Sequence, residues 1–297
     1  DVYKRQERLF QDDTSRIVAE TTYAAGKGID VSRVIRELGG KSVAMGLVGG
    51  YDGLQLEGLL INAGVMANFT RIAGETRTNI ILKEEATGHQ FVISAPGPEI
   101  EASEIGRIYQ HILEINDMTC LVLSGSLPRG VSPNLYGQLV LAGKKNGSFI
   151  LLDTDGKALA ESIEYQPTAI KPNSHELSRL VGRALEDETA ILSACKEIHQ
   201  KGIRYVLVSM GKDGLILSSE DQVIKAVAPP VDVNSTVGAG DSSVAGFVMA
   251  FSQDRDIMEC VRLACAAGTA TAKTPGTELC HREEVERILP SVKITTL

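Results

Sequence analysis

Long apolar runs, an excess of basic charge and metal-ligand spacings are what this chain has least of. In its 297 residues no run approaches the roughly 18 to 20 consecutive apolar residues of a membrane-spanning helix. Thirty basic residues against thirty-eight acidic leave a formal net charge of −8. No basic field exists to draw nucleic acid or anionic lipid, so neither is an expected partner, and an anionic substrate would need a local cationic pocket. The five cysteines (Cys120, Cys195, Cys260, Cys265, Cys280) are scattered and contain no CxxC. They read as buried thiols of a reducing cytosol, which makes the cytoplasm the expected location. The five histidines (His89, His111, His175, His199, His281) show no ligand spacing, so neither a zinc site nor a Ser/His/Asp nucleophile finds support. Linkers, low-complexity tracts and internal repeats are missing as well, and the expectation is one domain over 1–297.

What is present is an ordinary globular composition, 43% apolar and 23% charged, with a regular alternation of two patterns. Short apolar runs closed by Gly, Ser or Asp read as buried strands at Ser42–Val48, Cys120–Leu123, Phe149–Leu152 and Tyr205–Ser209. Helical patterns fill the intervals, among them Ser132–Asn146, Asn173–Val181 and Glu188–Lys201, and the tail from Gly238 to Leu289 is nearly all helical. Continuous apolar strands separated by helices predict an α/β fold with a mostly parallel sheet covered on both faces. Residues 69–93 break the rhythm with two strand-like runs around Thr87-Gly88, an antiparallel hairpin. With the strand-like Arg16–Tyr23 they predict a small discontinuous β lid at about 14–24 and 69–93.

The strongest chemical signal is Asn234-Ser235-Thr236-Val237-Gly238-Ala239-Gly240-Asp241-Ser242-Ser243, a Gly-rich turn followed by the helical pattern Val244, Phe247, Val248, Phe251. Such a turn presents free amides and the positive end of a helix dipole to an anion. Asp241 in the first turn could simply cap the helix. Amides for phosphate charge beside a carboxylate able to take a hydroxyl proton are also what phosphoryl transfer to an alcohol requires.

Thr236–Asp241 resembles the C-terminal signature of the ribokinase/PfkB family of sugar kinases, and Ala24–Gly39 resembles the N-terminal one. The likeness continues through Ser124-Gly125-Ser126-Leu127-Pro128, Lys171-Pro172-Asn173-Ser174-His175-Glu176-Leu177 and Ser209-Met210-Gly211-Lys212-Asp213-Gly214, from roughly residue 9 to 289. The resemblance implies a ribokinase-like three-layer α/β/α sandwich with a small β-sheet lid. It implies Asp241 as the base and the amides of Gly238, Ala239 and Gly240 as an anion hole. It gives Gly26, Lys27, Asp30, Arg77 and Ser126 to the sugar phosphate, and Lys171, Asn173, Ser209, Gly211, Gly214 and Thr236 to ATP. Glu176, Asn173 and Asp153 would serve Mg²⁺, partly through water, although Asn173 and Glu176 also read as a polar helix cap. Carbonyls at Ser235, Val237 and Gly276 would hold a monovalent cation, K⁺. A planar guanidinium at Arg77 suits a bidentate phosphate contact; without the resemblance it reads as a solvated charge. Lys27 is not a Walker A lysine, because Gly28 follows where Ser or Thr should stand. A homodimer through the lids is the family's habit.

Two departures bear on the site. Asp30 stands where the family usually has Asn, and a carboxylate neither donates a hydrogen bond nor tolerates a nearby phosphate. The family opens with a buried strand ending in an Asp that binds sugar hydroxyls. Tyr3–Arg8 is too polar for such a strand and Asp1 lies outside the pattern, so the expectation is a first strand missing or replaced at 1–8. A Rossmann dehydrogenase is rejected, since Ser243 occupies the third glycine position and no acidic residue follows a second strand. The reading is an ATP- and Mg²⁺-dependent kinase of a phosphorylated ketohexose. Ser209–Gly214 and Thr277–Cys280 favour fructose 6-phosphate, whereas Ala24–Ile29 and Val231-Asp232-Val233 look more like fructose-1-phosphate kinase. Tagatose-6-phosphate kinase and a catalytically weak sugar-phosphate or nucleotide-binding homologue are the alternatives.

Overall fold

Successive side chains of Phe149–Asp153 feed two different cores. Phe149 and Leu151 join a cluster with Val31, Phe247 and Ala264, while Ile150 and Leu152 join one with Leu139, Leu177 and Ile198. A strand whose residues are apolar on both sides must lie between two layers of helices. The computed structural model describes residues 1–10 and 13–297. Its strands are β1 Val2–Gln6, β2 Ala19–Thr22, β3 Val43–Val48, β4 Met66–Arg71, β5 Ile80–Glu84, β6 Gln90–Ile93, β7 Cys120–Ser124, β8 Phe149–Asp153, β9 Ala169–Ile170, β10 Tyr205–Ser209, β11 Leu215–Ser218, β12 Val223–Val227 and β13 Lys293–Thr296. Its helices are α1 Lys27–Glu37, α2 Gly50–Asn62, α3 Ala102–Leu113, α4 Leu135–Lys145, α5 Gly156–Ser162, α6 Ser174–Val181, α7 Glu188–His199, α8 Ala239–Ser252, α9 Ile257–Ala272 and α10 Arg282–Ile288.

The main sheet has seven strands in the order β13-β12-β11-β10-β9-β8-β7. It is parallel from β7 to β10 and antiparallel from β10 to β13. The antiparallel half escapes the sequence reading because β11 and β12 are short and joined by a tight turn. Helices α1, α8, α9 and α10 cover one face, and α3 to α7 the other. Strands β3 and β4 form a separate parallel pair linked by α2, a βαβ unit.

The lid is a four-stranded sheet, β2-β1-β5-β6. Its hairpin β5–β6 and strand β2 lie within the expected ranges, but residues 69–71 belong to β4 instead. Residues 1–8 add to the lid a strand that the sequence reading does not include. Val2–Gln6 is an interior strand of the lid, antiparallel to β2 and parallel to β5, with Tyr3 and Gln6 buried. A polar strand suits a sheet with one solvated face. It does not extend the core: among the described residues β3 pairs with β4 alone and β7 with β8 alone.

Candidate active site

The turn before α8 is built by Gly238, whose φ of 78° at the N-cap is open to glycine and strained for other residues. A Cβ there would come within 2.5 Å of Leu279 Cδ2. The turn leaves the Gly240 and Asp241 amides at the start of α8 free to face an anion. A Cβ on Gly240 would lie 3.3 Å from Lys171 Nζ, so the buried Lys171 ammonium sits directly beside these amides. The hydroxyls of Ser242 and Thr271 are 2.6 Å apart, and Thr271 Oγ1 accepts from the Cys280 amide at 2.9 Å, tying α8 to α9 and to the 274–280 turn.

Asp241 occupies the first turn of α8, 8% exposed. Burial pushes its pKa up to about 6, the Asp153 charge adds to the rise, and Lys27 and Lys171 oppose it. Asp153, at the end of β8, accepts from Lys27 Nζ at 3.1 Å through Oδ1, with Lys171 Nζ 3.6 Å away. Burial pulls the Lys27 ammonium down, but Asp153, Asp241 and Glu176 together hold its pKa above the ordinary value. Two cations and two carboxylates therefore converge beside an anion-binding turn.

The other expected residues fall into three groups. Asn173 and Glu176 form a reciprocal helix cap on α6: Asn173 Oδ1 accepts from the Glu176 amide and Glu176 Oε2 from the Asn173 amide, each at 2.8 Å. The cap reading therefore holds, and the Glu176 charge still reaches Lys27 and Asp241. Asn173 also bridges to Ser209, and Gly211 and Gly214 turn the chain after β10. That places the expected nucleotide elements side by side. Ser235 Oγ donates to the Gly276 carbonyl at 2.8 Å and Val237 N–H to Ser235 Oγ at 3.3 Å, closing the loop expected to hold a monovalent cation; Thr236 accepts from the Ala239 amide at 3.4 Å.

Towards the lid, Gly26, Gly28, Arg77 and Ser126 line one end of a cavity of about 890 Å³. Arg77 Nη2 donates to Ser126 Oγ at 3.5 Å, so these two residues, remote in sequence, share one corner of the cavity. Asp30 is buried rather than open to this space. Its Oδ1 accepts from Arg33 Nη1 at 3.1 Å and its Oδ2 from the Gly26 amide at 3.4 Å. Burial and the Asp241 charge raise its pKa to about 7, against the pull of Arg33.

Asp1 and Asp52 also line the cavity, and the sequence reading assigns neither to the site. Asp1 Oδ1 accepts from Asn79 Nδ2 at 3.0 Å, and Asp52 Oδ2 from Thr78 Oγ1 at 2.6 Å. Asp1 reaches this position only because β1 pairs with β5, a tertiary fact with no local sequence signal. Asp52, just after the Gly49-Gly50 turn that closes β3, carried a usable signal in its place after a strand end.

Residues 1–284 match the model of the pfkB family carbohydrate kinases. The chain belongs to the pfkB family. It is 34% identical over 278 residues to a 1-phosphofructokinase of Bacillus subtilis, covering 94% of this chain and 90% of that one. It is also 34% identical over 283 residues to the ATP-dependent 6-phosphofructokinase isozyme 2 of Escherichia coli, covering 95% and 92%. The solved phosphofructokinase-2 of Escherichia coli in complex with potassium superposes with a TM-score of 0.93 at 32% identity, over 97% of this chain and 94% of that one. This pfkB kinase is thus an ATP-dependent sugar kinase of the phosphofructokinase type, a class that works with a divalent metal. Among its described residues no three His, Cys, Asp or Glu side chains converge as a cage. Asp153 Oδ2 is nevertheless a buried oxygen without a partner. One free carboxylate oxygen beside a phosphate site fits a hard divalent cation that keeps waters and takes further oxygens from the substrate.

Proposed function

We propose that this chain transfers the γ-phosphoryl group of ATP to a free hydroxyl of a ketohexose monophosphate, fructose 6-phosphate first. The observation that carries this reading is Asp241: a buried carboxylate in the first turn of α8, next to free amides and Lys171, with a pKa near 6. In the reaction, Arg77 and Ser126 hold the phosphate already on the sugar. Asp241 accepts the proton of the attacking hydroxyl as its oxygen bonds to the γ-phosphorus and the bond to the β-phosphate oxygen breaks. The amides of Gly238–Gly240 and the ammonium groups of Lys27 and Lys171 take up charge on the transferring group. A base whose pKa lies just below neutral is ionised at working pH yet still basic enough to take a proton.

Mg²⁺ at Asp153 Oδ2, with Glu176 and Asn173 nearby, would neutralise phosphate charge. K⁺ is the expected occupant of the loop closed by Ser235, Val237 and Gly276. The lid shields the bound sugar from water, limiting wasteful hydrolysis of ATP. It also pairs with the lid of a second copy, supported by the exposed Phe91, Val92 and Ile93 on the edge strand β6. The cytoplasm, where ATP and sugar phosphates meet, is the proposed location.

The test is ADP release with Mg-ATP and, separately, fructose 6-phosphate, fructose 1-phosphate, tagatose 6-phosphate and fructose, with Asp241→Asn beside each. Turnover on one ketohexose phosphate, lost in the variant, identifies the substrate. Saturable binding by calorimetry with no ADP formed would leave a binding protein instead.

A further inference from the structure

The corner that holds Arg77 and Ser126 has a wall to which the sequence reading gives no role. Between β6 and α3 the chain runs Ala95-Pro96-Gly97-Pro98, and the last three of these residues line the cavity with Arg77 and Ser126. Proline on either side of Gly97 leaves this strap few conformations, and Gly97 turns it with a left-handed φ of 73°. At its start the Ala95 amide donates to Asn79 Oδ1 at 3.0 Å. At its end Pro98 presses on Gly74, where a Cβ would fall 2.4 Å from the proline Cβ. Between these anchors Arg129 Nη2 donates to the Gly97 carbonyl at 2.9 Å. The backbone of Arg129 is itself fixed, since its carbonyl accepts from the Ile100 amide at 3.0 Å and it bridges to Glu99. The strap in turn sets Arg77. A Cβ on Gly97 would lie 3.4 Å from Arg77 Cδ, so the strap backbone runs along the arginine stem. Arg77 Nη1 donates to the Ala95 carbonyl at 3.3 Å while Nη2 faces Ser126. An exposed arginine otherwise has many rotamers to lose on binding. Arg129 is exposed and is not among the residues that line the cavity.

We propose that Arg129 is a positioning residue for sugar-phosphate recognition: by pinning the Gly97 carbonyl it holds the 95–98 strap against Arg77 and aims that guanidinium at the phosphate. The inference rests on the reading that Arg77 and Ser126 hold the phosphate of the sugar. Arg129 acts through the strap and makes no contact with the substrate. What it supplies is preorganisation: the strap and the Arg77 stem are ordered before the sugar phosphate arrives, so binding does not bear that cost. Its loss therefore weakens sugar-phosphate binding and leaves the chemistry at Asp241 as it is.

The test compares Arg129→Ala, Arg129→Lys, Arg77→Ala and the double variant Arg77→Ala/Arg129→Ala, in the full chain with Mg-ATP and the ketohexose phosphate that it turns over. Arg129→Ala should raise KM for the sugar phosphate about five- to tenfold, with kcat within about twofold of the parent. Arg129→Lys keeps a charged donor for the Gly97 carbonyl and should recover most of the loss. In the Arg77→Ala background the removal of Arg129 should change KM little, because a residue that acts through another has no effect once that other is gone. Hydrogen exchange at the Gly97 and Glu99 amides should quicken in Arg129→Ala, a readout that needs no turnover. An unchanged KM, a loss confined to kcat, unchanged exchange in the strap, or a full additive effect on top of Arg77→Ala would each overturn the proposal. The last would mean that Arg129 meets the phosphate itself or that its loss loosens the fold at large. A KM in Arg77→Ala equal to the parent's would bring down the reading of the corner, and this inference with it, whatever the exchange in the strap.

Discussion

At Asp241 burial outweighs two neighbouring ammonium groups, and the result is a carboxyl that changes state near pH 6. Asp241→Asn keeps the shape and removes the base, so kcat should fall by about 10² to 10⁴ while KM moves little. In the unmodified enzyme kcat/KM should fall about tenfold per unit as pH drops below about 6, a limb that the variant lacks. Asp30 makes a stability prediction of opposite character. Its folded pKa of about 7 lies above the ordinary 3.8, so the folded chain binds the proton more tightly than the unfolded one. Stability from this group is fully present below about pH 4 and is lost as pH rises through 7. Asp30→Asn mimics the neutral form and keeps one acceptor oxygen, enough for Arg33 Nη1, while its Nδ2 replaces the oxygen facing the Gly26 amide. It should raise stability by roughly 2–4 kcal/mol at pH 8 and change it little at pH 4, measured by urea melts at both. The substitution itself was visible in the sequence. Its consequence was not, because Arg33 and Asp241 become its neighbours only through packing.

At the scale of elements, the turn before α8 and the β5–β6 hairpin were legible because each is encoded locally, by Gly238-Ala239-Gly240 and by Thr87-Gly88. Strands β8 and β10 were equally plain, since burial on both faces leaves an uninterrupted apolar run. Strand β1 was not, because Val2–Gln6 earns its place only by pairing with β2 and β5. Its Tyr3 ring packs on Gly276, where a Cβ would fall 2.9 Å from the ring, so the lid rests on the turn expected to hold the cation. Gly276→Ala should therefore strain a backbone with φ of 60° and displace Tyr3, costing about 1–3 kcal/mol; thermal melts beside the parent check it. The edge strand β6 gives a third prediction. Val92, 55% exposed between Phe91 and Ile93, lies where two lids would meet. Val92→Asp buries a charge if they do, and sedimentation should show monomer where the parent is dimer. An unchanged sedimentation coefficient in both would remove the lid as an interface.

Taken as a whole molecule, the main sheet and the β3–β4 pair are held in line by helices rather than by a continuous strand ladder. Helix α1 packs on both β3 and β7, and α3 spans from the β3–β4 pair to the core around Leu121 and Leu123. The sequence hints at the gap between β3 and β7 only through the polarity of Tyr3–Arg8; its walls are ordinary core residues that reveal nothing until the strand order is known. The arrangement makes the cleft a site for small apolar dyes. Anilinonaphthalene sulfonate should brighten on the folded chain under native conditions, with near-ultraviolet circular dichroism intact, unlike a loosened state that binds dye and loses that signal. Backbone amides of β3 and β7 that face the cleft should exchange faster than those of β8 and β10, which are bonded on both sides. Dye brightening with uniform exchange across β7, β8 and β10 would mean instead that the walls close on each other and that the dye sits elsewhere. Fast exchange confined to the two facing edges would tie both signals to the same gap in the strand layer.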